Sequence, residues 1–327
     1  MSLSPAHRNR VTGGALALFL LTALGVTAAG TQGGSASTTG TGTDVVSPAG
    51  PDGGLKGIVD GATIPWPKDG QTAIGLEDAL PVGVPGEQRP VPIASLAKVM
   101  TAHVILKEHP LRPGEAGPGI EVDRQAAYEV GVGGESTVPV RAGRSYSQRR
   151  LLELLLIPSG NNIARLLSRW DSGTQEGFVK KMQRAADELG MDRSTYTGAS
   201  GIEVTTTSTA TDQLTLARQV MKDPVFRDIV ASRTVTVPGI GPITNTNSLL
   251  DTPGVVGLKT GSSTPAGGNL LWAREVRVGG RTRLLLGAVL HQRAGTTPAE
   301  GLRAAVDGSR RLIAALGDRL DPARTEG

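Results

Sequence analysis

Hydrophobic periodicity changes twice along this chain, and that change constrains the fold more than any other feature. Gln71 to Glu77 has strand texture and follows a turn-rich stretch, 64–70, which joins it to a further expected strand over Gly57 to Asp60. Apolar residues three and four apart then predict helices over Ser95 to Glu108, Gln148 to Leu156, Asn162 to Trp170, Thr174 to Leu189 and Thr209 to Met221. Val255 to Lys259, Asn269 to Val278 and Thr282 to Leu290 return to strand texture, and Gly279-Gly280 between the last two is a hairpin signature. Pro298 to Leu316 reads as an amphipathic helix. Strands at both ends must find one another across a helical middle. The expected fold class is therefore α+β: an antiparallel sheet built from both termini and flanked by N- and C-terminal helices, plus an inserted all-helical lobe. With 45 Gly and 21 Pro, about a fifth of the chain, a simple helical bundle is excluded.

The ends carry different information. Arg8 and Arg10 precede the uncharged stretch Val11 to Ala29, whose apolar part, 15–21, is followed by the small-residue run 26–30. Residues 1–30 read as an export signal, with Val26 and Ala28 at the small positions of a cleavage site after Ala28. The same stretch is barely long enough to span a bilayer as a retained anchor. Either way the rest of the chain faces outward, and the expected location is extracytoplasmic. Residues 31–54, rich in Gly, Ser and Thr, lack the large apolar residues that would offset ordering entropy and read as a flexible linker. Residues 55–317 run on without a second linker or a fixed-period repeat and form one expected domain of two lobes, with 318–327 as a tail.

Several chemistries are excluded early. The absence of Cys removes disulfides, thiolate metal sites and a Cys nucleophile. The four His make no pair at metal-ligand spacing and no Ser sits in a G-x-S-x-G elbow, so neither a metal centre nor a Ser-His-Asp hydrolase is expected. A net charge of +4 and only three each of Phe, Trp and Tyr give no basis for nucleic-acid binding.

Three short motifs remain. Ser95-Leu-Ala-Lys98 lies at a helix start, and its spacing puts hydroxyl and amine on one face. Ser159-Gly160-Asn161 follows Pro158 in a break between two apolar helices, and Lys259-Thr260-Gly261 ends an apolar run. Separately, each has a bland reading: a helix cap, a loop polar pair, a solvated strand lysine. Chance expectations at this composition are about 0.5, 0.4 and 0.1 occurrences, and roughly three in a thousand for all three in this order.

With those motifs, the chain resembles the penicillin-binding serine hydrolases, in particular the low-molecular-mass D-alanyl-D-alanine carboxypeptidases. The surroundings Pro92-Ile-Ala-Ser-Leu-Ala-Lys-Val-Met-Thr101, Ile157-Pro-Ser-Gly-Asn-Asn-Ile-Ala164 and Gly257-Leu-Lys-Thr-Gly-Ser-Ser-Thr-Pro-Ala-Gly267 are similar to that family's, as is Ser200-Gly-Ile202 followed by Ser208-Thr-Ala-Thr-Asp212. In this last segment a structural part is expected, because Thr209 and Asp212 fit a helix cap. The resemblance covers about Leu55 to Leu316 and implies a β-lactamase/transpeptidase-like fold. It departs at Ala97, where the family often has Thr. The short stretch after Gly261 leaves no room for the extra β domain and membrane-binding C-terminal helix of some members.

The resemblance implies a serine-type carboxypeptidase that removes the terminal D-Ala of peptidoglycan stem peptides through an acyl-enzyme on Ser95 and is acylated by β-lactams. No cofactor is implied. An alcohol is a weak nucleophile and needs a base; Lys98, the only candidate in its segment, must be neutral, which burial and a second cation, Lys259, would favour. Ser159 is placed to relay a proton to the leaving amine, and Asn161 to orient Lys98 and the substrate amide. Lys259 and Thr260 would bind the terminal carboxylate, and Gly261 would let the substrate backbone add to the strand. By resemblance, the oxyanion hole is the backbone N–H of Ser95 and Ser262. Arg293 and Arg303 are the candidates to assist Lys259.

Other readings are a D,D-endopeptidase or transpeptidase, a β-lactamase and, from another class, a non-catalytic wall-binding scaffold. Leu189 to Thr197, where a class A β-lactamase carries its deacylating Glu, has none, and Glu188 lacks the matching context. Slow penicillin release is expected. Membrane contact is expected only through the N-terminal segment, if it stays uncleaved.

Overall fold

A strand that is apolar at successive positions must be covered on both faces, and the two central strands of this protein carry such continuous buried runs. The computed structural model describes residues 64–320 apart from 80, 82 and 279. The expected strand over Gly57 to Asp60, the segments 1–30 and 31–54, and 321–327 of the expected tail lie outside the described residues. A four-stranded antiparallel sheet comprises β1 (Gln71–Leu76), β2 (Val255–Ser263), β3 (Gly267–Val278) and β4 (Arg281–Gln292) in the order β1-β4-β3-β2. Gln71 lies opposite Leu290, Arg281 opposite Val278 and Lys259 opposite Leu271, so the first strand joins the last three as expected.

Between β1 and β2 run α1 (Ala97–Glu108), α2 (Arg124–Tyr128), α3 (Gln148–Leu156), α4 (Asn161–Ser172), α5 (Gln175–Glu188), α6 (Ala210–Val220) and α7 (Pro224–Ala231); α8 (Pro298–Leu320) follows β4. Period-two alternation separates two cores. Leu270, Trp272, Leu285 and Val289 pack with Leu312, Ile313 and Leu316 of α8. Leu271, Ala273, Leu286 and Ala288 face the opposite way, into the core shared with the helical lobe.

Two close approaches need glycine. A Cβ on Gly268 would stand 1.8 Å from the carbonyl oxygen of Gly301, so α8 sits directly on β3 there. A Cβ on Gly287 would stand 2.1 Å from the indole of the fully buried Trp272, its cross-strand neighbour. Gly287→Ala overfills that core at a cost of about 1–3 kcal/mol. A melting temperature lowered by roughly 2–10 °C with penicillin reactivity retained is expected; an unchanged melt would contradict the packing.

The structure departs from the sequence expectation in detail. Helix α7 lies outside the expected helices, although Asp223 caps it by accepting from Val225 N and Phe226 N at 2.8 and 3.1 Å, with Pro224 in the first turn. The lobe between β1 and β2 also holds short ribbons, Gly119–Glu121 with Ser145–Ser147 and Thr234–Val237 with Gly241–Thr244. Strand β2 continues to Ser263 instead of stopping at Lys259, because pairing with β3 persists to Ser263 opposite Gly267. Helix α8 extends to Leu320, past the expected Leu316, with Leu320 still buried. Among the described residues, no helix is long and apolar enough to cross a membrane.

Candidate active site

The bland reading of Ser95 fails on local geometry. It lies on a one-turn 3-10 helix, Ala94–Leu96, that leads into α1, and no side chain makes a cap hydrogen bond at either helix start. Ala94 holds a left-handed φ of +47°, sterically costly without glycine, and sets the turn that presents Ser95 half-buried at a cleft of about 260 Å³.

Lys98, one turn on and fully buried, has Nζ 2.8 Å from Ser95 Oγ and donates to the Ser200 carbonyl at 2.8 Å. Burial above all, then the cations of Lys259 and Arg165, hold its pKa well below the ordinary lysine value, against the opposing pull of Glu135 and Glu203. A neutral amine in this place can take the proton of the hydroxyl beside it. Ser200-Gly201 thus supplies a site carbonyl, whereas Thr209, as expected, serves structure: its Oγ1 accepts from Asp212 N at 3.1 Å.

Of the other two motifs, Asn161 lines the same cleft, whereas Ser159, Lys259, Thr260 and Gly261 are not in its lining and the strand of the third motif reaches it through Ser262 and Ser263. Ser159 and Asn161 lie between and at the start of helices α3 and α4. Ser159 has a left-handed φ of +65°, and its buried hydroxyl has no partner among the described residues. Asn161 Nδ2 donates to Glu135 Oε2 at 2.9 Å, while its buried Oδ1 has no partner among the described residues. No hydrogen bond joins Asn161 to Lys98 among the described residues. Strand β2 is an edge of the sheet and brings in Lys259, Thr260 and Gly261. Lys259 is buried, donates to the Thr260 carbonyl at 2.8 Å and has its pKa pushed down to about 7 by burial. Thr260 Oγ1 lies 2.7 Å from Thr246 Oγ1.

For Gly261 the geometry adds a second requirement. A Cβ there would lie 3.0 Å from Ser95 N and Leu96 N, against the turn that carries the nucleophile. Ser95 and Ser262 both line the cleft. Arg293 and Arg303 are exposed and do not line it. Glu188 pairs with Lys107 and borders a different groove. Glu135, Arg165 and Thr246 carried no sequence signal: each stands outside a motif and reaches the site only through the packing of its loop or helix.

The depressed Lys259 pKa gives a stability prediction with a definite sign. Between about 7 and the ordinary 10.5 the unfolded chain binds this proton and the folded one does not, so the group favours folding increasingly as pH rises through that window. In thermal melts from pH 6.5 to 9.5, Lys259→Met should flatten this rise relative to the unmodified protein; parallel curves would show that the amine is not titrating there.

A buried amine whose pKa is held down lies against a serine hydroxyl, in an α+β fold of the β-lactamase/transpeptidase-like class. The fold is shared with the Streptomyces K15 DD-transpeptidase, at 23% identity and a TM-score of 0.67 over 78% of this chain and 98% of that one. It is shared also with penicillin binding protein 5 from Haemophilus influenzae, at 19% identity and a TM-score of 0.64 over 77% and 70%. Residues 85–285 match the D-alanyl-D-alanine carboxypeptidase family of peptidases, and the chain belongs to that family. Similar relatives include the D-alanyl-D-alanine carboxypeptidase DacB2 of Mycobacterium tuberculosis, 35% identical over 54% of this chain and 59% of the relative. Others are the carboxypeptidase DacD of Escherichia coli, 31% identical over 59% and 50%, and the D-alanyl-D-alanine endopeptidase of the same species, 31% identical over 54% and 57%. The match thus spans less than two thirds of each of these relatives.

Proposed function

We propose that this protein is a serine-type D-Ala-D-Ala carboxypeptidase acting on peptidoglycan stem peptides outside the cytoplasm. The observation that carries the reading is the 2.8 Å approach of the buried Lys98 amine to Ser95 Oγ. Lys98 takes the hydroxyl proton as Ser95 Oγ bonds to the carbonyl carbon of the penultimate D-Ala. The carbon–nitrogen bond then breaks, the proton passes by way of Ser159 to the leaving amine, and D-Ala departs. Water attacks the resulting ester and restores Ser95. The N–H groups of Ser95 and Ser262 stabilise the oxyanion, and Lys259 with Thr260 takes the terminal carboxylate. Asn161 orients the substrate amide, which lies along β2 where Gly261 lets strand and nucleophile turn approach. β-Lactams acylate the same hydroxyl. The N-terminal segment directs export and, if uncleaved, supplies the only membrane contact.

Penicillin should form one adduct, on Ser95, that persists for many minutes, and Ser95→Ala should remove labelling without lowering the melting temperature. Labelling elsewhere would defeat the assignment, and rapid penicillin turnover would favour a β-lactamase. The endopeptidase among the relatives supports a second reading, separable by end-recognition. Amidating a D-Ala-D-Ala peptide removes a charge-assisted contact worth about 1.5–3 kcal/mol, a tenfold to hundredfold loss in kcat/KM. Equal rates on acid and amide would favour the endopeptidase.

A further inference from the structure

We infer that Glu135 is a positioning residue that sets the orientation of the Asn161 amide, held to that task by Arg165 and Glu129. The inference rests on the acyl-transfer reading above. A carboxylate only accepts hydrogen bonds, so the group facing Glu135 Oε2 at 2.9 Å must be the amide nitrogen of Asn161. Its oxygen then points away. That oxygen, Asn161 Oδ1, is buried and without a partner among the described residues, on a side chain that lines the cleft, so the orientation of this amide is set by Glu135 and decides which of its polar atoms is left for the site.

Glu135 is itself restrained from two sides. Arg165, four residues after Asn161 on the same face of α4, gives Nη2 to Glu135 Oε2 at 3.0 Å and Nε to Glu129 Oε2 at 2.8 Å. The loop carrying Glu135 is stitched to the start of α4. Asn161 N donates to the Ser136 carbonyl at 2.8 Å, while the Asn162 side chain accepts from Val138 N at 3.0 Å and donates to its carbonyl at 2.9 Å. Three consecutive charged groups therefore end on one amide, and none of them needs to touch substrate to affect the reaction. The charges of Glu135 and Arg165 also act on Lys98, where Glu135 opposes Lys259 and Arg165 and acts in the same sense as Glu203.

The test compares Glu135→Ala, Glu135→Gln and the unmodified protein for acylation by a fluorescent penicillin and for kcat and KM on a D-Ala-D-Ala peptide. Alanine frees the amide to flip and should lower acylation and kcat about 10- to 100-fold with little change in KM. Glutamine keeps an acceptor oxygen for Asn161 and should recover to within about threefold of the unmodified rate, although it lacks the charge. Its acid limb should move to lower pH, since a negative neighbour that favoured the Lys98 ammonium is gone. If Glu135 merely neutralised Arg165, Gln would fail as badly as Ala, and that result overturns the inference. In an Asn161→Ala background, Glu135→Ala should add nothing; independent, multiplying losses would also overturn it. Should the Ala variant not fold, Glu135→Asp, which withdraws the acceptor by one methylene, is expected to show the same kcat loss, and a normal rate counts against the role. Absence of any labelling of the unmodified protein would instead sink the acyl-transfer reading itself.

Discussion

Arginine in place of Lys98 is expected to leave Ser95 unacylated by penicillin. Arginine is similar in size but keeps its proton throughout the accessible pH range, so it cannot accept the hydroxyl proton from 2.8 Å away. Losing a positioned general base costs about 10²–10⁴-fold, enough to remove the adduct on the timescale of a gel assay. The pH dependence of the unmodified enzyme has the same cause. Acylation needs Lys98 neutral, so its rate should rise with pH through the lowered lysine pKa and level off above it. Lys98→Gln, uncharged and less demanding of the buried site, guards against misreading an unfolded variant. Near-normal acylation by either folded variant would place the base elsewhere.

Gly201→Ala is expected to be nearly as damaging although it alters no side chain of the three motifs. Gly201 has φ +80°, and a Cβ there would lie 1.9 Å from the Ala94 carbonyl oxygen. The obstacle is backbone, so no rotamer change relieves it. The Ala94–Leu96 turn or the Ser200 carbonyl must move, and either shift separates Ser95 from Lys98. Misplacement of about 1 Å at a nucleophile costs on the order of 10²-fold, and the strained backbone should lower the melting temperature as well. Acylation kinetics together with a thermal melt test this; normal kinetics would mean that the loop and the nucleophile turn are not coupled.

Much of this molecule was legible in its sequence, for reasons that are local. Alternation along 269–278 and 282–290 divides side chains between two faces whatever covers them, and Leu271 and Trp272 indeed enter different cores. The spacing of Ser95 and Lys98 needs only one helical turn to become a contact, and the Thr209 cap needs only its own helix start. The order of three motifs, each too common alone, identified the family because their joint occurrence is rare.

What stayed hidden depends on elements distant in sequence. Glu135 follows three Gly in four positions and shows no pattern; only the packing of its loop on α4 turns it toward Asn161. Thr246 reaches Thr260 because the segment before β2 folds back across the strand. For Gly261, sequence suggested room for a ligand, whereas tertiary structure adds the approach of strand β2 to the nucleophile turn. The state of the two lysines was decided in the same way. A sequence can place two amines in motifs, but burial, which makes their charged forms costly, exists only once sheet and helical lobe have closed around them.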